Sequence, residues 1–278
     1  VIIFDIARPT FKLPKNVEFV EGSTVYPELL NNVITKDTDE VYDLAGILGT
    51  TELMFANSRS VDYNIHGAVN VLDVCRAKGV KRLFHPTKPN DWLNTYSITK
   101  FAAEQFALMY QKNFNMNIAV TKWFNAYGPR QHLYPTRKVV PLFTIQAVNN
   151  LPVEIFGDGE QTVDLIYVED IAKLAIKVTR ECGRLGKVLD VGTGVAITVN
   201  ELAQKIIDMC KSKSEIVHLP MRQGEPLRSQ IKADVIELKK HIKFDVDALL
   251  AVDDKRRELL LSIEKKRAEQ KGVSEKMV

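Results

Sequence analysis

The sequence has no apolar run approaching the ~18 residues that a membrane-spanning helix needs. No basic stretch followed by an apolar one opens it, so neither a membrane partner nor a secretory leader is expected. Cysteine is scarce. Cys75, Cys182 and Cys210 lie far apart and form no CxxC pair. That excludes a disulfide framework or a zinc site as the organising feature, and no metal is expected. A reducing cytoplasm is the expected compartment. An excess of one charge is also lacking: 38 basic against 35 acidic residues leave +3, too little to point to nucleic acid. Internal repeats and low-complexity stretches are absent.

What is present is an ordinary globular composition. Of 278 residues, 45% are hydrophobic and 26% charged, enough apolar material for a core and a length that suits one large domain or two smaller ones. The chain opens at once on VIIFD, Val1 to Asp5, which reads as a buried strand. Strands are expected at VEFV (Val17 to Val20), EVYDLA (Glu40 to Ala45), VKRLF, IAVTKWF, VEIFG and KVLDVG. Helices are expected near Glu28–Lys36, Val61–Lys78, Asn94–Phe114 and Val139–Asn149, and over VEDIAKLAIKVTREC and VNELAQKIIDMCK. Gly79 stands where a C-cap glycine belongs. Alternating strands and helices argue for a parallel sheet covered on both faces. The regularity lasts to about Phe124, which suggests a smaller C-terminal lobe. From Asp253 the chain is rich in charge of both signs, and Leu259, Leu260, Leu261 and Ile263 could pack one face of a solvated helix.

Several residues could do chemistry. Tyr96 and Lys100 stand four apart in YSITK, on one face of a helix. A tyrosine is a poor base at neutral pH, and a nearby ammonium stabilises its phenolate. Such a pair can take the proton of a sugar hydroxyl while hydride leaves the same carbon. The same spacing is also common on plain helix surfaces. Asp5 ends a strand, where an acidic residue can accept hydrogen bonds from a dinucleotide's ribose or simply form a turn. WFNAYGPRQ (Trp123 to Gln131) follows a strand with an asparagine, a tight Gly-Pro turn and an arginine. In FGDGEQTVDLIYVEDIA, Asp170 sits where a carboxylate caps a helix. RQGEPLR (Arg222 to Arg228) offers loop arginines, whose forked donors suit phosphate.

In order, VIIFD, VEFVEG, VYDLAG, NIHGAVNVLDVC, YSITKFAAE, WFNAYGPRQ, FGDGEQTVDLIYVEDIA, DVGTG and RQGEPLRS run from Val1 to about Phe244. This set resembles the extended short-chain dehydrogenase/reductase family, in particular its nucleotide-sugar epimerases and dehydratases. The resemblance implies a Rossmann-type doubly wound parallel sheet that binds NAD, with a smaller mixed α/β lobe for the nucleotide sugar. The expected division is residues 1–124, joined by 156–172 and part of the later chain, for NAD; and 125–155 with 173–278, mainly for the sugar nucleotide. The resemblance makes Tyr96 the base and has Lys100 hold the nicotinamide ribose and tune Tyr96. Asp5 would bind the adenosine ribose, Leu44, Ala45 and Gly46 would line the nicotinamide side, and Asn64 would lie behind the cofactor. Asn125, Arg222 and Glu225 would hold the substrate's phosphate and ribose. The implied activity is an epimerase acting on a UDP-sugar through a transient 4-keto sugar, similar to UDP-glucose or UDP-glucuronate 4-epimerases. Its alternatives are a 4,6-dehydratase or decarboxylase, and, from another class, a non-catalytic dinucleotide- or partner-binding homologue. A homodimer through about Val61–Lys78 and Asn94–Phe114 is implied as well, with Phe101, Phe106, Met109 and Tyr110 supplying apolar surface.

The sequence departs from that family in four places. The strand and GxxGxxG loop that precede the acidic strand end, and cradle the pyrophosphate, have no counterpart. VKRLF passes straight into HPTKPNDW, without the Ser/Thr-rich loop that polarises the sugar oxygen, and Thr87 lies only nine residues before Tyr96. Ser23 stands where an aspartate usually meets the adenine, and Val163 where an arginine usually reaches the diphosphate. Both larger losses fall on cofactor-contacting stretches. The expectation is therefore that these 278 residues belong to a somewhat longer enzyme, the competing reading being a truncated homologue unable to hold NAD. Intact mass decides: the expressed protein should exceed the 31.4 kDa of this sequence, and a match to it would favour truncation.

Overall fold

A computed structural model describes residues 1–134 and 136–242. The charged tail from Asp253, with its expected helix, lies outside the described residues. The chain divides into two units, residues 1–122 with 175–189, and residues 123–174 with 190 onward.

The first unit alternates as the sequence suggests. It runs β1 (Ile2–Asp5), β2 (Glu18–Glu21), α1 (Pro27–Val33), β3 (Glu40–Tyr42), a 3-10 turn (Glu52–Phe55), α2 (Asn57–Val61), a π-helical turn (Asp62–His66), α3 (Gly67–Lys78), β4 (Arg82–Thr87), α4 (Thr95–Phe114) and β5 (Ile118–Trp123). β1 and β2 form a parallel pair with Ile2 opposite Glu18. A second sheet begins β3-β4-β5, all parallel, and β9 (Leu189–Val191) follows β5 in strand order. The usual doubly wound order, 3-2-1-4-5-6, carries one further strand between such a pair and such a set. The core is built where helical and strand periodicities meet: Val71, Leu72 and Cys75 of α3, Ala107 and Tyr110 of α4, Leu83 of β4, and Ile118 and Val120 of β5 pack together. Gly79 ends α3 in the left-handed region at φ 72°, as its C-cap position predicts. Asn94 caps α4, its Oδ1 accepting from Ser97 N–H at 2.9 Å.

Two local expectations change. The helix expected over Val61–Lys78 begins with the π-turn at Asp62–His66, which adds a residue to the turn and re-aims its side chains. β4 does not stop at Phe84 but continues through His85, Pro86 and Thr87, opposite Val120 to Lys122 of β5. The ladder with β3 ends at Tyr42–Phe84, so beyond it β4 pairs on one side only and tolerates proline's missing N–H.

The second unit contains β6 (Asn125–Tyr127), α5 (Val139–Val148), β7 (Val153–Phe156), β8 (Thr162–Tyr167), β10 (Ala196–Thr198), α7 (Val199–Cys210), β11 (Ile216–Leu219) and α8 (Ile236–His241). β8 pairs parallel to β6 and antiparallel to β10, and β7 parallel to β11, the mixed pattern anticipated for this lobe. α7 starts with a reciprocal capping box between Thr198 and Glu201. Its residues Leu202, Ala203, Ile206 and Ile207 pack on Val153, Ile155 and Phe143.

The division differs from the expected one. Residues 156–172 belong to the second unit, because β8 is bound there by β6 and β10. The stretch that returns to the first unit is 175–189, carrying the end of α6 (Val168–Glu181). Arg180 of α6 holds Glu40 of β3 with two bonds, at 2.9 and 3.2 Å, the bidentate geometry that favours arginine over lysine.

Asp164 explains much of the second unit's order. It is fully buried on β8, and its carboxylate accepts from Thr193 N–H and Oγ1 and from the N–H groups of Gly194 and Ala233, at 2.6 to 3.0 Å. Asp164→Ala strands three backbone donors. At ~1–3 kcal/mol for each buried orphan, urea unfolding should show a loss of about 3–5 kcal/mol; a loss below about 1 kcal/mol would refute this role.

Candidate active site

The chemistry-bearing residues of the first unit gather where β3, β4 and α4 meet the π-turn. Beyond β3 the chain runs through Asp43, Leu44, Ala45 and Gly46. Leu44, Ala45 and Gly46 are exposed, whereas Asp43 is buried. Gly46 has φ +147°, and a Cβ there would lie 2.8 Å from Asn64 Oδ1, so only glycine allows the loop to pass this side chain.

Asn64 sits in the π-turn and is buried. Its Oδ1 accepts from Ile47 N–H at 2.8 Å, and its Nδ2 donates to Ile47 O and to Thr99 Oγ1, both at 3.0 Å. A side-chain amide here pairs with backbone as a neighbouring strand would. Thr99 lies between Tyr96 and Lys100 on α4 and was not singled out in the sequence. Its signal is a β-branched hydroxyl inside a helix, which must bond back to the preceding turn or to a partner; it does both, donating to Thr95 O at 2.9 Å.

Tyr96 and Lys100 share the first two turns of α4 as predicted. Lys100 is buried. Burial lowers its pKa below 10.5, while the charges of Asp43 and Glu104 oppose that. Tyr96 is half-buried, and burial pushes its phenol up to about 12. The expected lowering of Tyr96 by Lys100 is therefore not what this structure displays. Among the described residues, neither the Tyr96 hydroxyl nor the Lys100 ammonium has a hydrogen-bond or ion-pair partner. Close by, Asp43 and His85 bind each other through Oδ2 and Nδ1 at 3.0 Å, both almost fully buried, and His85 Nε2 has no partner. Asp43 and His85 were also missed, although a charge closing an apolar strand was a usable signal.

The remaining candidates are dispersed. Asp5 is exposed at the end of β1 and accepts Ala7 N–H through Oδ1 at 3.0 Å, a turn that leaves Oδ2 uncommitted. Ser23 is buried in the turn before α1, its Oγ accepting from Val25 N–H at 3.3 Å. In the second unit, Asn125 is half-buried on β6. Arg222 and Glu225 meet in an ion pair of 2.6 Å, so each already answers the other's charge. The Arg222 guanidinium lies 5.1 Å from the centre of the Phe156 ring, and its Nε is buried without a partner. Val163 is buried in the core. Asp170 is buried in the first turn of α6, with its Oδ1 3.5 Å from Lys173 Nζ.

The sequence profile of the NAD dependent epimerase/dehydratase family matches residues 2–87 and 86–192. The chain belongs to this family. The two matched segments meet at Pro86–Thr87, where the polar loop was expected and not found. Among relatives of known name, a trifunctional UDP-glucose 4,6-dehydratase/3,5-epimerase/reductase of Arabidopsis thaliana is 28% identical over 224 residues, 73% of this chain and 32% of the relative. A putative UDP-glucose 4-epimerase of Methanocaldococcus jannaschii is 25% identical over 231 residues, 76% of this chain and 74% of the relative. The chain thus spans about a third of the first and three quarters of the second. Among solved structures, a Thermotoga maritima UDP-glucose 4-epimerase with UDP-glucose superposes with a TM-score of 0.79 at 23% identity, over 88% of this chain and 84% of that one. An epimerase of Methanothermobacter thermautotrophicus gives 0.79 at 23%, over 88% and 79%. Their fold is the Rossmann-type α/β fold of this family member. No helix among the described residues is long and apolar enough to cross a membrane.

The buried ammonium of Lys100 carries a measurable cost. Its lowered pKa means that the unfolded chain binds the extra proton between the folded value and 10.5, so stability rises with pH through that window. Lys100→Met should therefore raise the melting temperature at neutral pH, with a gain that shrinks as pH approaches 10.5. An unchanged or lower melting temperature at pH 7 would contradict the burial cost.

Proposed function

We propose that this family member is an NAD-dependent nucleotide-sugar epimerase that acts on a UDP-sugar through a transient 4-keto sugar. The observation that carries the reading is that Tyr96 and buried Lys100 stand four residues apart on one helix, which Asn64 ties through Thr99 to Ile47. Uncompensated titratable groups of this kind concentrate at functional sites.

The residues present fit both ribose ends of NAD. Asp5 keeps one carboxylate oxygen uncommitted at the exposed end of β1, Leu44, Ala45 and Gly46 leave an exposed floor beyond β3, and Lys100 offers an unpaired ammonium. A GxxGxxG loop is not among the 278 residues. Bound NAD would supply a reversible hydride acceptor for the sugar's C4. The chain's own residues do the proton work. Tyr96, as phenolate, takes the 4-OH proton and later returns it, and the Lys100 ammonium on the same helix would hold the nicotinamide ribose. In the second unit, the unpartnered Arg222 Nε is a donor suited to the substrate's phosphate, with Asn125 and Glu225 as further polar contacts.

Relatives named as dehydratases and a decarboxylase supply a second reading, since those reactions begin with the same oxidation. A homodimer through α3 and α4 belongs to the proposal. Ile98, Phe101 and Phe106 of α4 are exposed, as a covered face would require, whereas Tyr110 is buried and bonded to Asp73. A cytoplasmic setting fits three cysteines with no disulfide.

The test is turnover of UDP-, dTDP- and GDP-sugars, with product analysis for epimerised, dehydrated or decarboxylated sugar, alongside release of NAD on denaturation. Tyr96→Phe should reduce turnover by about 10²-fold or more. Absence of bound NAD together with turnover unaffected by Tyr96→Phe would leave the non-catalytic reading.

A further inference from the structure

The ammonium that touches Tyr96 is that of Lys88. Its Nζ lies 4.8 Å from the centre of the Tyr96 ring and 5.2 Å from that of Trp92, and it donates to Ser97 Oγ at 2.7 Å. Ser97 is buried next to Tyr96, and its own N–H is fixed by the Asn94 cap. Lys88 is thus held by two rings and one hydroxyl at the start of α4. It belongs to the polar run after Thr87 that stands in place of the expected Ser/Thr loop.

Ionising a phenol spreads negative charge from the oxygen onto the ortho and para ring carbons. An ammonium over the ring face already gains from the ring's quadrupole, and it gains more from that charge, so it favours the phenolate over the phenol. We propose that Lys88 is the positioning residue that prepares Tyr96 to take a proton, with Lys100 holding charge one turn further into the helix. The inference rests on the reading of Tyr96 as the base.

The elements packed against α4 carry other charged groups. Asp43 and His85, beyond β3 and on β4, bind each other. Asp62 and His66 of the π-turn pair at 3.2 Å, and the Arg59 guanidinium of α2 lies over Tyr63. Asp73 and Arg76 of α3 meet Tyr110 and Phe114 at the far end of α4. Cys75 of α3 is buried in the core, Glu52 lies on the 3-10 turn, and Glu104 follows Lys100 on α4 itself. None of these has a hydrogen bond or ring contact with the Tyr96 side chain.

The experiment is a pH titration of tyrosine Cζ resonances in the full chain, assigned with Tyr96→Phe. In the unaltered protein, Tyr96 should titrate below the value of about 12 that burial sets. Lys88→Gln keeps a donor for Ser97 and removes the charge; it should move that midpoint upward and shift the acid limb of kcat the same way. Lys88→Arg keeps the charge over the ring and should leave both in place, which separates the electrostatic role from a loop staple. A midpoint unmoved by Lys88→Gln, moved equally by Lys88→Arg, or moved further by Lys100→Met would overturn the proposal. If Lys88→Gln unfolds, Lys88→Met read against Lys88→Arg gives the same comparison. The titration needs no turnover, so an inactive chain would count against the epimerase reading alone.

Discussion

One side-chain amide ties the first unit's candidate site together. Asn64 is bonded at once to both backbone groups of Ile47, in the loop beyond β3, and to Thr99 in the helix that carries Tyr96 and Lys100. Gly46 and the π-turn both answer to that clamp. Gly46 must be glycine because Asn64 stands where its side chain would go. The π-turn is tolerated because it aims Asn64 inward, and a regular helix through the same residues would turn that side chain elsewhere.

The two units treat buried charge in opposite ways. In the second, Asp164 meets four donors and is spent entirely on holding β8 to the turns around Thr193 and Ala233. In the first, the Lys100 ammonium and His85 Nε2 are buried without matching partners. Folding free energy favours the former arrangement, and the latter adds a cost that the rest of the first unit must offset. Arg222 shares both characters, with its charge met by Glu225 and its Nε unmet.

Local chemistry made much of this legible in the sequence. Gly79 and the Tyr96–Lys100 spacing each state a backbone or facial constraint that needs only neighbours along the chain. What was hidden depends on partners remote in sequence. Asp164 reads as one more strand residue until Thr193 and Ala233 arrive beside it. Lys88 has nearer partners, yet it reads as part of a loop until α4 brings the Tyr96 ring under its ammonium beside that of Trp92. The return of 175–189 to the first unit brings Arg180 to Glu40, 140 residues away, and no periodicity encodes that meeting. Pro86 lies within β4, where it is admitted because the ladder with β3 ends first.

The two parallel ladders of the first unit also have an entropic consequence. Each residue fixed in a strand gives up ~1–2 kcal/mol of backbone freedom. β4 recovers this from neighbours on both sides over Arg82–Phe84, whereas β1 has only β2, over four residues. Val1 and Ile2 are exposed at that pair, so burial adds little there. The two sheets thus differ among the described residues: β4 pairs on both sides, while β1, which ends at Asp5, pairs with β2. Asp5 is held there by one ladder and one turn, through Glu21 opposite it and the Ala7 N–H.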